Sequence, residues 1–391
     1  MNTSPQKPIR LAVLHTHPIQ YHGPVYKQIA KHEKIQFKAF FCCSKGIDEY
    51  VDPGFGTTVK WDIPLLEGYE HQFLKYPALD IMKELYKYRP DILWINNYNS
   101  LPSWTAYFAA LALRIPVLLR GDSYLLDNAG KSWARKLFKN TILRGFLKGI
   151  SGILYVGACN RDFFKTYGAE DDKLFFAPHC VNNEYFRKEN ELRLPERADI
   201  RSRFGISDNR PIILFCGKLV PKKQPLLLLE AYRKVRSSTS CALLFAGDGP
   251  LRGDIQKEVE KSAITDVHIT GFLNQTEIPN VYIAADVMVL TSAWDEVWGL
   301  ALNEGMNFEL PIIATDMVGG AFDLVKNGEN GYIVPTGNVD ILASKILEVF
   351  QSKDKLDSFG RRSAEIIDSY SYTEMVNNLI KTCELLVNQK T

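Results

Sequence analysis

Four stretches of the sequence, each just past an apolar run, carry residues able to hold phosphate and hydroxyl groups. After residues 212–216 comes Gly217-Lys218-Leu219-Val220-Pro221-Lys222-Lys223. Gly217 allows close backbone approach, and Lys218 and Lys223 offer fixed positive charge suited to phosphate, unless this is simply a solvated basic turn. Next is Ala246-Gly247-Asp248-Gly249-Pro250, where Gly249 either serves turn geometry or admits a ligand. Third is Thr270-Gly271-Phe272-Leu273, whose backbone amides and carbonyls are free to read the edge of a base or to form an ordinary turn. The fourth, residues 291–304, holds Glu296, then Gly299 and Leu300 at an expected helix start, then Glu304. Unpaired amides at that start suit a phosphate. The two carboxylates suit hydroxyls because they only accept hydrogen bonds. Eight helical steps of about 1.5 Å each would separate them by about 12 Å.

These residues need strands that end at a common edge, and the pattern supplies them twice. In the first half, apolar runs at 9–16, 36–43, 92–97, 116–121, 152–156 and 173–177 alternate with amphipathic stretches at 23–31, 101–113 and 131–147. Residues 178–210, with Pro178, Pro195 and a charge-rich, weakly apolar stretch, read as a crossing between domains. Strand runs then recur at 212–216, 242–246, 267–270, 287–290, 311–314 and 332–334. Strands alternating with helices predict parallel sheets covered on both faces, with ligands beyond the carboxyl ends of the strands. The expectation is an α/β chain of two Rossmann-like domains facing a cleft: residues 1–180, a crossing at 181–210, residues 211–370, and a closing helix from 371.

Composition narrows the class. The chain has 391 residues, 46% hydrophobic and 24% charged, which is globular and too long for one core. The net charge is +2, with +7 over residues 1–180 and −5 over the rest. Without a recognisable motif this excess does not indicate nucleic-acid binding. Residues 101–119 are interrupted by Arg114 and Pro116 and read as a buried helix and a strand, not a membrane span. The N-terminal apolar run is too short for a secretory signal, so a cytoplasmic protein is expected. Seven cysteines without paired spacing predict buried free thiols, and the absence of clustered ligands predicts no metal. Residues 131–148 carry six basic residues and no acid, interleaved with apolar ones. Such a helix either lies on anionic lipid at the inner face of a membrane or turns a basic face to solvent.

The run from the phosphate lysines through Gly-Asp-Gly-Pro, Gly271, the Glu296/Glu304 pair, Pro311-Ile312-Ile313-Ala314-Thr315-Asp316, Gly319-Gly320 and Asn330-Gly331-Tyr332 resembles the family 4 glycosyltransferases of the GT-B fold. The resemblance covers residues 211–335. It implies transfer of a sugar from a nucleoside-diphosphate donor with retention of configuration. The expected acceptor is a glycan or lipid-linked molecule of surface polysaccharide or glycolipid synthesis. No metal or other cofactor is expected, because the two lysines and the helix start near Gly299 supply the positive potential. The resemblance places Glu296 on the sugar, Lys218 and Lys223 on the leaving phosphate, the Gly299 and Leu300 amides on the diphosphate and Glu304 on the ribose. Gly217, Gly249 and Phe272 are expected in the donor site.

The first half departs from the family pattern. The glycine-rich loop after the first strand is replaced by His15-Thr16-His17-Pro18-Ile19-Gln20-Tyr21-His22-Gly23, a family histidine by Arg120-Gly121-Asp122, and Asn-Gly-Val-Asp by His179-Cys180-Val181-Asn182. His17, His22, Gly23, Arg120 and Asp122 are the candidates for the acceptor side. The histidines are read either as acceptor ligands or proton carriers, or as structural. Competing readings are a nucleotide-sugar-binding subunit without transferase activity, a nucleotide-sugar epimerase and a phosphorylase.

Overall fold

The computed structural model describes residues 7–125 and 133–389. The chain divides into two units that do not follow the chain halves. One contains the N-terminal stretch to Glu49, Ile63–His179 and the C-terminal stretch from Tyr372. The other contains Tyr50–Asp62 and Cys180–Ser371.

The strands in chain order are β1 (Ile9–His15), β2 (Ile35–Phe41), β3 (Tyr50–Asp52), β4 (Thr57–Val59), β5 (Glu70–Phe73), β6 (Ile92–Asn96), β7 (Val117–Arg120), β8 (Gly152–Tyr155) and β9 (Leu174–Phe176). Then come β10 (Ile212–Cys216), β11 (Ala242–Ala246), β12 (Val267–Ile269), β13 (Val287–Leu290), β14 (Ile312–Thr315) and β15 (Gly331–Val334). The first unit is built on a parallel sheet in the order β5-β2-β1-β6-β7-β8-β9, the second on one in the order β12-β11-β10-β13-β14-β15. Both sheets run outward in two directions from a first strand, so each has a switch point, at β1/β6 and at β10/β13, where ligands collect in folds of this type.

The central strands read as unbroken apolar runs because helices cover both faces. Every residue of β6, β7, β10, β11, β13 and β14 is buried. In the first unit the helix Gly23–Lys31 places Val25, Tyr26 and Ile29 in the interior. Gly23 opens that helix because a Cβ there would lie 2.8 Å from the Leu65 carbonyl oxygen. Ser100 caps the helix Leu101–Ala112 by accepting from the Ser103 amide. In the second unit, Asn338 and Ser352 cap successive helices in the same way.

Three domain expectations change. Residues 181–210 are no free crossing: they form the helices Asn183–Arg193 and Arg197–Arg203 of the second unit, where Arg201 donates to Asp286 at 2.6 Å and to the Ala284 carbonyl at 2.9 Å. The last helix, Tyr372–Asn388, packs in the first unit against the helix Gly23–Lys31 and β9. The hairpin of β3 and β4 belongs to the second unit although it lies 121 residues or more upstream of Cys180, the point at which that unit resumes.

Of the seven cysteines, Cys180, Cys216, Cys241 and Cys383 are buried, Cys42 and Cys159 are half-buried and Cys43 is exposed, all as free thiols. In the basic helix, Trp133–Lys148, the side chains of 133–139 lie outside the description, as do residues 126–132. Farther along it, Leu143, Phe146 and Leu147 sit in the core of the first unit, and so are turned away from any lipid. No helix among the described residues is long and apolar enough to cross a membrane.

Candidate functional site

At the switch point of the second sheet, two loops are tied into one surface. The turn after β10 meets the loop after β13: Ala293 N donates to the Lys222 carbonyl at 2.8 Å, and the Thr291 hydroxyl to the Lys223 carbonyl at 2.8 Å. The second loop is held from its other side by the Gly319 amide, which donates to the Glu296 carbonyl at 2.9 Å. Gly319 is required there, since a Cβ would stand 2.1 Å from the Val297 carbonyl oxygen. The result is direct contact between Lys223 Nζ and Glu296 Oε2, with each side chain only 13% exposed. Ser292 Oγ also donates to that carboxylate, at 3.2 Å. The first predicted cation and the first predicted carboxylate are thus partners.

Lys218 stands on the same turn, and its partner comes from the hairpin. Its Nζ lies 2.7 and 2.9 Å from the two Asp52 oxygens and 4.7 Å from the centre of the Phe55 ring. The Gly54 and Phe55 amides donate to Asp52 Oδ1, fixing its carboxylate. Burial alone would raise the Asp52 pKa, but Lys218 and these amides hold it below the ordinary carboxylate value. The hairpin also reaches the loop after β12. Phe272 packs edge-on against Phe55 with ring centres 4.9 Å apart, Asn274 donates to the Lys60 carbonyl, and the Thr276 amide and hydroxyl both donate to Asp62.

The two glycines after β11 are explained by packing against the turn after β10. A Cβ on Gly247 would be 2.0 Å from the Gly217 carbonyl oxygen, and one on Gly249 2.6 Å from that of Leu219, so the two turns lie back to back. Gly299, at φ 91°, precedes the helix Leu300–Met306. Residues 296–299 are outside that helix, so the expected eight-step helical spacing between the glutamates does not apply. Glu304 is 4% exposed and accepts from the Tyr282 hydroxyl at 2.6 Å, while Cys216 Sγ lies 3.3 Å from the same hydroxyl. Burial pushes the Tyr282 hydroxyl well above its ordinary pKa, with Cys216 and Glu304 adding to it, and so keeps it a donor.

The first unit assembles a different kind of site at the ends of β1 and β7. His15 closes β1, and its Nε2 lies 3.0 Å from His22 Nδ1. Arg120 closes β7 and is 4% exposed, with Nη2 donating to the Pro178 carbonyl at 3.4 Å and to His179 Nδ1 at 3.3 Å. Because guanidinium only donates, the His179 proton is on Nε2, which gives it to Asp122 Oδ1 at 3.1 Å. Arg120 and Asp122 are therefore joined through His179. His17 accepts or donates with the Thr16 hydroxyl at 3.0 Å. Burial lowers the pKa of His15, to about 4 with help from His17, and lowers those of His17 and His22 as well.

Sequence reading missed Asp52, Tyr282, His15 and His179 as members of these sites. The first lies in a stretch with no usable periodicity, and the second in a six-residue helix. His15 and His179 were visible only as letters replacing family motifs. Among the described residues no group of three or more His, Cys, Asp or Glu side chains is placed to hold a metal.

Two Rossmann-like units, each built on a parallel sheet, make up the GT-B fold. The glycosyltransferase from Rickettsia africae ESF-5 shares it at a TM-score of 0.75 and 19% identity, over 98% of this chain and 99% of that one. Anabaena HepE in complex with UDP and glucose shares it at 0.70 and 16%, over 96% and 99%. Residues 196–365 match the family model "Glycosyl transferases group 1". Alpha-D-kanosaminyltransferase of Streptomyces kanamyceticus is 30% identical over 190 residues, which is 48% of this chain and about half, 48%, of that enzyme's length. The GDP-mannose-dependent alpha-(1-6)-phosphatidylinositol monomannoside mannosyltransferase of Mycobacterium tuberculosis is 26% identical over 67% of this chain and 70% of its own.

Proposed function

We propose that the protein is a retaining, metal-independent glycosyltransferase that moves a sugar from a nucleoside-diphosphate donor to a glycan or lipid-linked acceptor. The observation that carries this reading is the Lys223–Glu296 contact at the β10/β13 switch point with Lys218 on the same turn, inside the stretch that matches the group 1 glycosyl transferase model. Further support comes from relatives whose names give GDP-mannose dependence or glycolipid products, and from a structural neighbour holding UDP and glucose.

In this reading Lys218 and Lys223 stabilise the charge that grows on the departing diphosphate, as preorganised cations do. Each ammonium has three N–H donors, so a carboxylate partner leaves capacity for phosphate oxygens. The Gly299 and Leu300 amides add donors. Glu296 accepts from sugar hydroxyls and orients Lys223, while Glu304, fixed by Tyr282, takes the ribose. His17, His22, Gly23, Arg120 and Asp122 belong to the acceptor side. The enzyme would work in the cytoplasm, with the basic segment 131–148 supplying contact with anionic lipid.

The test is a panel of nucleotide sugars scored by thermal stabilisation and by release of nucleoside diphosphate, with and without excess chelator. Turnover that survives chelation and a product of retained configuration are expected. Binding without turnover would leave a nucleotide-sugar-binding subunit. A chelator loss beyond roughly 10-fold that magnesium or manganese restores would sink the lysine mechanism.

A further inference from the structure

The hydrogen bonds around His15 and His22 determine where their protons are. The backbone amide of His17 donates to His15 Nδ1 at 3.3 Å. An amide N–H has nothing to accept with, so His15 Nδ1 carries a lone pair and the His15 proton is on Nε2. That N–H points to His22 Nδ1 at 3.0 Å, which must then accept, and the His22 proton is on Nε2 in turn. The other hydrogen bonds of His22 are made by its backbone, with the Ile19 carbonyl and the Tyr26 amide, and among the described residues none but His15 bonds its ring. Its ring is only part-buried, and its Nε2 is not among the buried polar atoms that lack partners.

Around this ring stand His15, Arg120, Asp122 and His179, with the Tyr26 ring 5.8 Å away; Lys45 faces His17. Arg120 and Asp122 offset each other in charge. Two buried polar atoms of the same neighbourhood also have no partner: Oε1 of Gln20, a residue 7% exposed and two positions before His22, and Nε of Arg120. A neutral imidazole N–H beside the offsetting Arg120 and Asp122 suits an uncharged hydroxyl better than an anion. Burial keeps both imidazoles in the neutral form at pH 7.

We infer that His22 presents its Nε2–H as a fixed hydrogen-bond donor to a hydroxyl oxygen of the acceptor sugar, and that His15 is the positioning residue that sets this tautomer. His22 then orients the acceptor and takes no proton from it: deprotonation at Nε2 of an incoming hydroxyl would need the lone pair that the relay places on Nδ1. The acceptor half of this inference rests on the glycosyl-transfer reading, whereas the tautomer half does not.

The experiment is nitrogen-15 NMR of the full chain labelled at histidine, with kinetics of two His22 variants. The expected spectra show His15 and His22 both neutral with the proton on Nε2, unchanged between pH 7 and about pH 6. A His22 proton on Nδ1, or a cationic ring at pH 7, would overturn the inference. His22→Gln keeps an amide N–H near the Nε2 position, and should hold the acceptor KM within about 3-fold, with kcat and the pH profile preserved. His22→Leu should raise the acceptor KM about 10-fold, with a much smaller change in kcat. A His22→Gln variant as inactive as His22→Leu would make the ring a base. Loss of nucleotide-sugar hydrolysis by water in His22→Leu would move the contacted oxygen to the donor phosphate, against the inference. If the wild type turns over no nucleotide sugar, the acceptor assignment falls with the transferase reading, and the spectra still decide the tautomer.

Discussion

The two switch points solve the same problem with opposite chemistry. In the second unit the groups are charged and pre-paired, Lys223 with Glu296 and Lys218 with Asp52. In the first they are three imidazoles, two of them, His15 and His22, with protons placed by hydrogen bonds, beside an Arg120–His179–Asp122 chain. Six of the seven histidines lie in the first unit and one, His268, in the second. A site for a diphosphate needs cations that stay charged at any physiological pH, which lysine provides. One for hydroxyls needs directional donors and acceptors without the desolvation cost of an ion, which neutral imidazole provides.

The largest expected effect separates the two regions by pH. The unfolded chain takes a proton on each imidazole below about pH 6.5, whereas folded His15 resists until about pH 4. Stability contributed by neutral His15 is thus complete above pH 6.5 and lost as the pH falls toward 4, by about 3 kcal/mol. Denaturant midpoints between pH 7 and pH 4.5 should show it, and His15→Gln should flatten the curve. An equal slope in both proteins would place the acid sensitivity elsewhere.

Next in size, Lys223→Ala removes the half-buried cation and leaves Glu296 without it. Turnover should fall about 10²-fold, or about 2.7 kcal/mol, as when one preorganised donor to a developing anion is lost. Measured kcat near the wild-type value would break the charge side of the contrast.

A smaller loss is expected from Tyr282→Phe, which strips the hydroxyl that fixes Glu304. Calorimetry with free nucleoside diphosphate should show affinity reduced about 10-fold, roughly 1.4 kcal/mol. Glu296→Gln should leave that same affinity largely intact, because its proposed partners are sugar hydroxyls. The reverse pattern would exchange the two roles.

The smallest effect is the sharpest test of pre-pairing. Asp52 competes with phosphate for Lys218, so Asp52→Asn should tighten free nucleoside diphosphate about 3-fold, an effect that added salt diminishes. Weaker binding instead would mean that the hairpin aims Lys218 and does not merely neutralise it.

Much of this was legible in the chain itself. The strands at 212–216, 242–246 and 287–290 match the structure because residues buried on both faces must be apolar without interruption. Lys218, Lys223, Glu296, Gly299 and Glu304 could be placed at strand ends for the same reason: a parallel sheet brings all its carboxyl ends to one edge. β5, with a half-exposed pattern at the sheet margin, carries no such signature.

What only tertiary structure decided is partnership. Asp52 reaches Lys218 across 166 positions because its hairpin is held by Phe272, Asn274 and Thr276, and no local pattern encodes so distant a pairing. Gly23, Gly249 and Gly319 look like ligand-loop glycines, yet each faces a carbonyl oxygen that a side chain would strike. The proton positions on His15 and His22 follow from an amide, a ring and a distance of 3.0 Å. Residue type and period are properties of the chain, whereas charge pairing, close approach and tautomer are properties of the space that folding creates.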